Sequence, residues 1–480
     1  MISTWLEKAP PDINLKIDHI LDEVNPWLQV EKLSKFDLSL NQLIRLSNII
    51  KRLPNKNDQG LPIRVAILSN ATTDLIEQVL LVVGVRYGIN FEIVPVGYGQ
   101  VMQEACSTNS KMYQSKLDYV LLALDHRAYQ LVESSHIKNA EILLDGIRSG
   151  VLKNSDASCI FQTIARPEAS LFGSLDRRIK SSNRRLIVNI NQLLEQKVER
   201  DGGYLLDVEA LSENIGLSNW HDEKQWSLAK LPFSQKYTPI YVENICRLIA
   251  AAKGKSRRCI VLDLDNTLWG GVIGDDGLDG IVIGQGDSVG ESFLSFQKTL
   301  LELRERGIIL AVCSKNNENI ARQVFLEHPE MLIKLKHIAS FKANWVDKAS
   351  NIKAIANELS LGLDSFVFVD DNPMERKLVR EFLPMVAVPE MPTDPSLYSK
   401  VLMSAGYFEA VEFLEEDKLR ADMYQKNQQR NSLSVEANDL DEFLQSLEME
   451  LDIQMMDNIS KLRVVQLINK SNQFNLTTRR

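Results

Sequence analysis

Cysteine and histidine are scarce in this chain, and neither forms a recognisable ligand pattern. The five cysteines are widely spaced and include no CxxC pair: Cys106, Cys159, Cys246, Cys259 and Cys313. The six histidines form neither HExxH nor HxH. These absences argue against a disulfide framework and against a zinc site of the usual cysteine or histidine type. They favour a reducing, cytoplasmic location.

Long hydrophobic runs are also missing. The longest are short, such as VLLVV at residues 79–83, whereas a membrane-spanning helix needs about 20 apolar residues. The first residues, MISTWLEKAPPD, lack the charged-then-apolar pattern of a secretory leader. A net charge of −9 makes a general nucleic-acid surface improbable. With 44% hydrophobic and 25% charged residues, we expect a globular protein that binds neither membrane nor nucleic acid.

The first half of the chain has the pattern of an α/β domain. Residues 1–55 show helical spacing of leucine and isoleucine, and strand and helix signals then alternate. Strands are predicted at residues 64–68, 91–96, 119–124, 159–164 and 204–208, with helices at 72–82, 131–147, 185–199 and 234–253. Such alternation predicts a doubly wound parallel sheet within a domain of residues 1–254.

A second alternating unit is predicted at residues 255–395. Its strands are expected at residues 259–264, 308–313 and 365–369, and its helices at 291–306, 318–325 and 348–359. A proline-rich segment, residues 384–395, ends it. Residues 396–480 are expected to form a mostly helical extension, with helices at 409–428 and 460–470 and an apolar-alternating stretch at 447–455.

Acidic and hydroxyl side chains follow the apolar strands of this second unit. The candidates, in chain order, are Asp263 and Asp265 in IVLDLDNTL, Ser314, Lys348, and Asp370 with Asp371 in FVFVDDNP. Parallel strands bring their carboxyl ends to one edge of a sheet, which is where open α/β sheets place their sites. Converging carboxylates with Mg²⁺ can offset the charge of a phosphate. The ordered set predicts a phosphate-handling site, and the alternative is a scaffold that has merely kept acids at its strand ends.

This ordered set resembles the four motifs of the haloacid dehalogenase (HAD) superfamily of phosphatases and phosphotransferases. The resemblance implies that Asp263 is the nucleophile that forms an aspartyl-phosphate. It implies that Asp265 is the general acid for the leaving group and then the base for water. Thr267 and Ser314 would position the phosphate, and Lys348 would offset its charge.

The same resemblance implies a Mg²⁺ site. Its ligands would be Asp263, Asp370 and the backbone carbonyl of Asp265, assisted by Asp371. Lys342 is a less favoured candidate for the role given to Lys348.

A narrower resemblance rests on further motifs. DLDNTLWGGVIGDDG, SKN, NWVDKASNI, FVFVDDNPMER and QLINKSNQFNLTTR resemble the FkbH-like proteins. These are glyceryltransferase/phosphatases of polyketide biosynthesis. The resemblance implies removal of phosphate from 1,3-bisphosphoglycerate and loading of a glyceryl unit, through an enzyme thioester, onto the phosphopantetheine of an acyl carrier protein. Longer members continue into an acetyltransferase-like domain, so we expect this chain to be part of a larger synthase.

Several residues around the motifs have two interpretations. Cys313 is either the thiol that bears the glyceryl group or a core residue, because neighbouring strand residues face opposite sides. Trp269 and Gly270 begin either a flap over the phosphate or a plain hairpin with a core tryptophan. Arg376 contacts a carboxylate or phosphate, or else has a surface or helix-capping role. The resemblance adds Lys315 and Asn316, from SKN, as substrate-binding residues.

The first domain resembles SGNH-type hydrolases at the end of its first strand, where Ser69 and Asn70 occupy the nucleophile region. It departs from that pattern elsewhere. GDS is replaced by LSN, the oxyanion asparagine is either replaced by Asp125 or missing, and no DxxH is present. A serine triad needs a base that cannot be placed here, so a degenerate domain that docks a carrier or orders the second domain is favoured.

Three functions therefore compete at the level of sequence. The first is a glyceryltransferase/phosphatase, the second a plain Mg²⁺-dependent HAD phosphatase, and the third a non-enzymatic module that docks a carrier protein. The first two need Asp263 and Mg²⁺, and only the first also needs an acyl acceptor.

Overall fold

The protein was analysed as a computed structural model, which describes residues 4–53, 60–414, 416–424 and 453. The chain divides into two compact units. The first comprises residues 1–252 and 400–411, and the second comprises residues 253–399 and 412–480.

The first unit contains two parallel sheets. A small sheet pairs β1 (Glu7–Lys8) with β2 (Phe36–Asp37). The larger sheet has five strands: β3 (Leu61–Ser69), β4 (Ile89–Val94), β5 (Tyr119–Ala123), β6 (Ser158–Gln162) and β7 (Tyr204–Leu206). Their spatial order is β4-β3-β5-β6-β7, and every pair is parallel. The parallel α/β architecture expected from the alternating pattern is thereby confirmed.

Helices connect and precede these strands. They are α1 (Ile13–Asp18), α2 (Pro26–Ser34), α3 (Leu40–Ile50), α4 (Asp74–Arg86), α5 (Val101–Cys106), α6 (His136–Asn154), α7 (Asn183–Asp201), α8 (Val208–Ile215), α9 (Leu217–Trp220), α10 (Glu223–Ala229) and α11 (Thr238–Ala252). The helix predicted to start at residue 131 starts at His136. Residues 132–135 form a turn instead, since the amide of His136 donates to the carbonyl of Val132.

The second unit is built on a four-stranded parallel sheet. Its strands are β8 (Cys259–Leu262), β9 (Ile309–Ser314), β10 (Ile338–Ala343) and β11 (Phe366–Val369), in the order β10-β9-β8-β11. Its helices are α12 (Ile273–Gly280), α13 (Ser288–Glu305), α14 (Glu318–Glu327), α15 (Lys348–Glu358) and α16 (Pro373–Phe382), and α17 (Tyr398–Ser404) runs from this unit into the first. Strand β10 was not predicted from the sequence.

The C-terminal helix predicted at residues 409–428 begins later than expected. Residues 409–414 are not helical, whereas residues 416–424 are. Residues 425–428, the helix predicted at 460–470 and the stretch at 447–455, apart from Ile453, lie outside the described residues.

Candidate active site

The candidate acids meet at one edge of the four-stranded sheet. Strand β8 lies between β9 and β11, and all three run parallel. Asp263 therefore follows the central strand, Ser314 ends one neighbour, and Asp370 follows the other. The sequence predicts this convergence because apolar strands followed by polar residues are visible in the sequence itself.

Lys348 joins the carboxylates of two strand ends. Its Nζ lies 3.0 Å from Oδ1 of Asp263 and 2.5 Å from Oδ2 of Asp370. Lys348 is the first residue of α15 and is 4% exposed. Burial alone would lower the pKa of this amine, but the charges of Asp263 and Asp370 outweigh burial and raise it. The lysine is therefore held as a cation.

Asp263, Asp370 and Asp371 form a cluster that could hold a metal ion. Each offers one carboxylate oxygen, and these oxygens lie within 4.8 Å of one another. Burial first, and the charge of Asp263 second, raise the pKa of Asp370 to about 7. Burial and Asp263 likewise raise the pKa of Asp371. Three carboxylates crowded in this way repel one another unless a cation lies among them.

The donor set fits Mg²⁺, which prefers oxygen ligands and one or two carboxylates beside a phosphate. Although Oδ1 of Asp263 is close to Lys348, it is buried without a hydrogen bond of good geometry. That oxygen is thus left available to a cation. The side chain of Asp265 is not in the cluster, and the sequence resemblance had assigned only its backbone carbonyl to the metal.

The carboxylate of Asp265 is held by three donors instead. Oδ1 accepts from the indole Nε1 of Trp269 at 2.9 Å and from the amide of Ile273 at 3.0 Å. Oδ2 accepts from Nδ2 of Asn316 at 2.7 Å. Burial raises the pKa of Asp265, and these hydrogen bonds act against that shift. Trp269 and Asn316, expected to bind substrate, thus contact the candidate general acid.

Thr267 and Ser314 are buried beside the cluster. The hydroxyl of Thr267 accepts from the amide of Asp371 at 3.2 Å, which fixes the loop that carries Asp371. Nδ2 of Asn316 lies 3.5 Å from Oγ of Ser314. Their roles in phosphate binding stay predictions, and these contacts show that both also position their neighbours.

The two other lysines considered from the sequence lie in ion pairs. Nζ of Lys315 is 2.6 Å from Glu375, and its side chain is 40% exposed. Nζ of Lys342, on β10, is 3.0 Å from Glu358. Since Lys348 bridges Asp263 and Asp370, the geometry favours it over Lys342, as the sequence did.

The buried side chain of Arg376 stabilises the loop that carries Asp370 and Asp371. Nη1 donates to the carbonyls of Asp370 and Asp371 at 2.8 and 2.6 Å, and Nη2 donates to Glu390 at 2.6 Å. The side chain is 3% exposed. Of the two interpretations of Arg376, the surface role does not apply. The partner is a carboxylate of this chain, Glu390, which sequence reasoning missed because it lies beyond the motif.

The segment after Asp265 forms a small loop beside the site. Gly270 and Val282 exchange two backbone hydrogen bonds of 2.9 and 2.8 Å, which close a loop that contains α12. Residues 271–281 are called the flap here. Trp269 at its base is fully buried and packs edge-to-face against Phe325. The tryptophan is thus a core residue, and the loop lies where a flap is expected.

Cys313 lies in the hydrophobic core of the second unit. It is 0% exposed, and its Sγ faces the carbonyl of Lys348 at 3.8 Å. Burial raises the pKa of the thiol well above its usual range, so the nucleophilic thiolate is disfavoured. The geometry therefore favours the core interpretation of Cys313.

The hydrolase-like positions of the first unit are occupied by internal hydrogen bonds. The hydroxyl of Ser69 donates to the carbonyl of Ala123 and accepts from the amide of Ala71. Asn70 bonds twice with Asp125. Nε2 of His221 contacts the carbonyl of Arg166, not a serine. These contacts support the interpretation of a degenerate domain.

Comparison with known proteins adds independent evidence. The model of the FkbH N-terminal domain matches residues 64–250. The sequence of the chain is 32% identical to that of the N-terminal part of protein BF1531 from Bacteroides fragilis, whose crystal structure contains a phosphatase domain complexed with Mg. That match covers 78% of this chain and all of the other, with a TM-score of 0.70. No curated protein matches.

Proposed function

The chain belongs to the FkbH-like family, and from that premise we propose that it is a Mg²⁺-dependent glyceryltransferase and phosphatase of the HAD type. The observation that carries the phosphatase part is the cluster of Asp263, Asp370 and Asp371 around Lys348 at the sheet edge. A docking module would have no need of a buried lysine held between two aspartates. The Mg in the similar Bacteroides phosphatase-domain structure supports the same metal here.

Each of these residues has its own role in the proposed phosphatase reaction. A carboxylate oxygen of Asp263 attacks phosphorus, the bond from phosphorus to the substrate oxygen breaks, and Asp265 gives that oxygen a proton. Water then attacks the phosphorus of the aspartyl-phosphate, the bond from phosphorus to the Asp263 oxygen breaks, and Asp265 takes a proton from that water. Lys348 offsets charge on the phosphoryl group throughout. When bound, Mg²⁺ held by Asp263, Asp370 and Asp371 would supply further charge stabilisation.

The substrate in this proposal is 1,3-bisphosphoglycerate. Its phosphomonoester end suits the Asp263 site. Its acyl phosphate is an activated donor, so a thiolate can attack the acyl carbon and release phosphate. The acceptor in our proposal is the phosphopantetheine thiol of an acyl carrier protein, in polyketide biosynthesis.

The route of the acyl group has two versions. The family resemblance implies an intermediate thioester on the enzyme, for which Cys313 is the candidate thiol, whereas the burial of Cys313 favours direct attack by the carrier thiol. Reaction at Cys313 would require the end of β9 to open. We therefore favour the direct route.

Intact mass spectrometry tests the proposal. The protein is mixed with Mg²⁺, 1,3-bisphosphoglycerate generated in situ and a phosphopantetheinylated carrier protein. We expect the carrier to gain a dephosphorylated glyceryl group. Phosphate release without any adduct would leave the plain HAD phosphatase as the function, and no reaction at all would favour the docking module.

A further inference from the structure

The contacts of Asp265 determine which of its atoms can transfer a proton. An ionised carboxylate has about four lone-pair positions, two on each oxygen. Both positions on Oδ1 are taken, by the indole of Trp269 at 2.9 Å and the amide of Ile273 at 3.0 Å. On Oδ2 one position is taken, by the amide of Asn316 at 2.7 Å.

We propose that Trp269 and Asn316 are positioning residues: with the amide of Ile273 they take three of the four lone pairs of Asp265, and the one on Oδ2 that the described residues leave vacant is where the catalytic proton resides. This inference rests on the proposed phosphatase function and goes beyond it, because it assigns the acid–base atom and the residues that fix it. Indole and amide groups donate but cannot accept a proton here, so they do not compete for it.

The proton balance of the step is simple. Oδ2–H breaks as the bond from phosphorus to the substrate oxygen breaks, and that oxygen receives the proton. In the second step the attacking water gives a proton to the same Oδ2. Without the indole donor, Oδ1 gains a vacant lone pair, the carboxyl group can rotate, and the proton can lie away from the leaving oxygen.

The surroundings of Trp269 explain why the hydrogen bond to Asp265 needs a tryptophan at this position. The ring is fully buried and packs against Phe325 with centroids 5.9 Å apart. Phenylalanine could fill most of that space, but only an indole donates a hydrogen bond. Ile273 is the first residue of α12, so the third donor comes from the flap itself.

The test compares two leaving groups in Trp269→Phe and Asn316→Ala. p-Nitrophenol leaves without an acid, whereas the alcohol of 3-phosphoglycerate needs one. Because a general acid contributes about 10²–10⁴-fold, we expect kcat/KM for 3-phosphoglycerate to fall by at least about tenfold more than kcat/KM for p-nitrophenyl phosphate. The matched control is Trp345→Phe, since Trp345 is 78% exposed. Equal losses with both substrates, or no loss, would overturn the proposal.

A second measurement needs no activity. The Trp269 indole ¹H–¹⁵N resonance, assigned by its loss in Trp269→Phe, is expected to move upfield in Asp265→Ala as the hydrogen bond disappears. An unmoved resonance would overturn the positioning role of Trp269. A wild-type protein that hydrolyses neither phosphate would contradict the proposed function instead, and the indole resonance would still show whether Trp269 donates a hydrogen bond to Asp265.

Discussion

At the residue scale, Asp263 is the position on which the proposed chemistry depends most directly. Asp263→Asn keeps the shape of the side chain but removes the nucleophilic carboxylate, and loss of the nucleophile of a serine protease lowers kcat by about 10⁶-fold. We expect phosphate release to fall by at least about 10⁴-fold, measured by phosphate assay. The matched control is Asp364→Asn, an exposed residue just before β11, at the opposite end of the same sheet. Release that survives in Asp263→Asn would refute the nucleophile assignment.

Cys313 gives a second prediction at this scale. Because its thiol is buried and its pKa is raised, we expect Cys313→Ala to keep both phosphate release and glyceryl loading within a few-fold. The small cavity should lower the free energy of unfolding by about 1 kcal/mol. Urea denaturation and intact mass spectrometry of the carrier measure these effects. Loss of loading with intact phosphate release would instead establish the thioester at Cys313.

The individual acids could be predicted from the sequence, but their supporting contacts could not. Asp263 and Asp370 directly follow apolar strands, so local pattern and parallel topology are sufficient to bring them together. Trp269 and Asn316 contact Asp265 from different segments, and nothing in the local sequence shows where their donors point. Cys313 was ambiguous for a related reason, since strand alternation gives two faces without saying which one meets the site.

At the element scale, the flap depends on a glycine that no other residue can replace easily. Gly271 has φ +89°, and an added Cβ would lie 2.6 Å from the carboxylate of Asp276. That carboxylate accepts from the amide of Val272 at 2.7 Å, so Gly271→Ala strains the backbone and disturbs this bond. The two effects together should destabilise the flap by about 1–3 kcal/mol.

Hydrogen–deuterium exchange measures this destabilisation. In Gly271→Ala we expect faster exchange across residues 271–281, together with a lower kcat/KM. Gly274→Ala is the matched control, because its Cβ would meet nothing within 4 Å and its backbone angle is ordinary. Unchanged exchange in Gly271→Ala, or equal acceleration in both variants, would contradict the role given to Gly271.

Strand β10 shows why one element was missed. Its sequence, IASFKA, mixes apolar residues with serine and lysine and is short, so it lacks the continuous apolar run of β9 or β11. It lies at the edge of the sheet and pairs only with β9 among the described strands. Edge strands commonly carry lysine, and that weakens their pattern in a sequence. The strands that were predicted have a neighbouring strand on each side or a high apolar content. Either feature gives a clear pattern in the sequence.

At the scale of the whole molecule, each unit has its own buried charges. In the first unit, Glu243 accepts from Nη1 of Arg86 and from the hydroxyl of Tyr87, both at 2.5 Å, and is 2% exposed. In the second unit, Lys348 compensates the acids. No helix of the described residues is long and apolar enough to span a membrane. Stability of the first unit and metal binding by the second should therefore respond to different substitutions.

Glu243→Gln tests this division. Removing the carboxylate leaves the buried charge of Arg86 uncompensated and destabilises by about 3–5 kcal/mol, so the first unit should unfold at a lower urea concentration. At 100 times its dissociation constant, Mg²⁺ should stabilise the second unit by about 2.7 kcal/mol, equally in wild type and Glu243→Gln but not in Asp370→Asn. Pulse proteolysis with fragments assigned by mass spectrometry follows each unit. Glu213→Gln, a half-exposed partner of Arg166, is the control. Because the acids and Glu243 belong to different units, loss of Mg²⁺ protection in Glu243→Gln would contradict a metal site confined to the second unit.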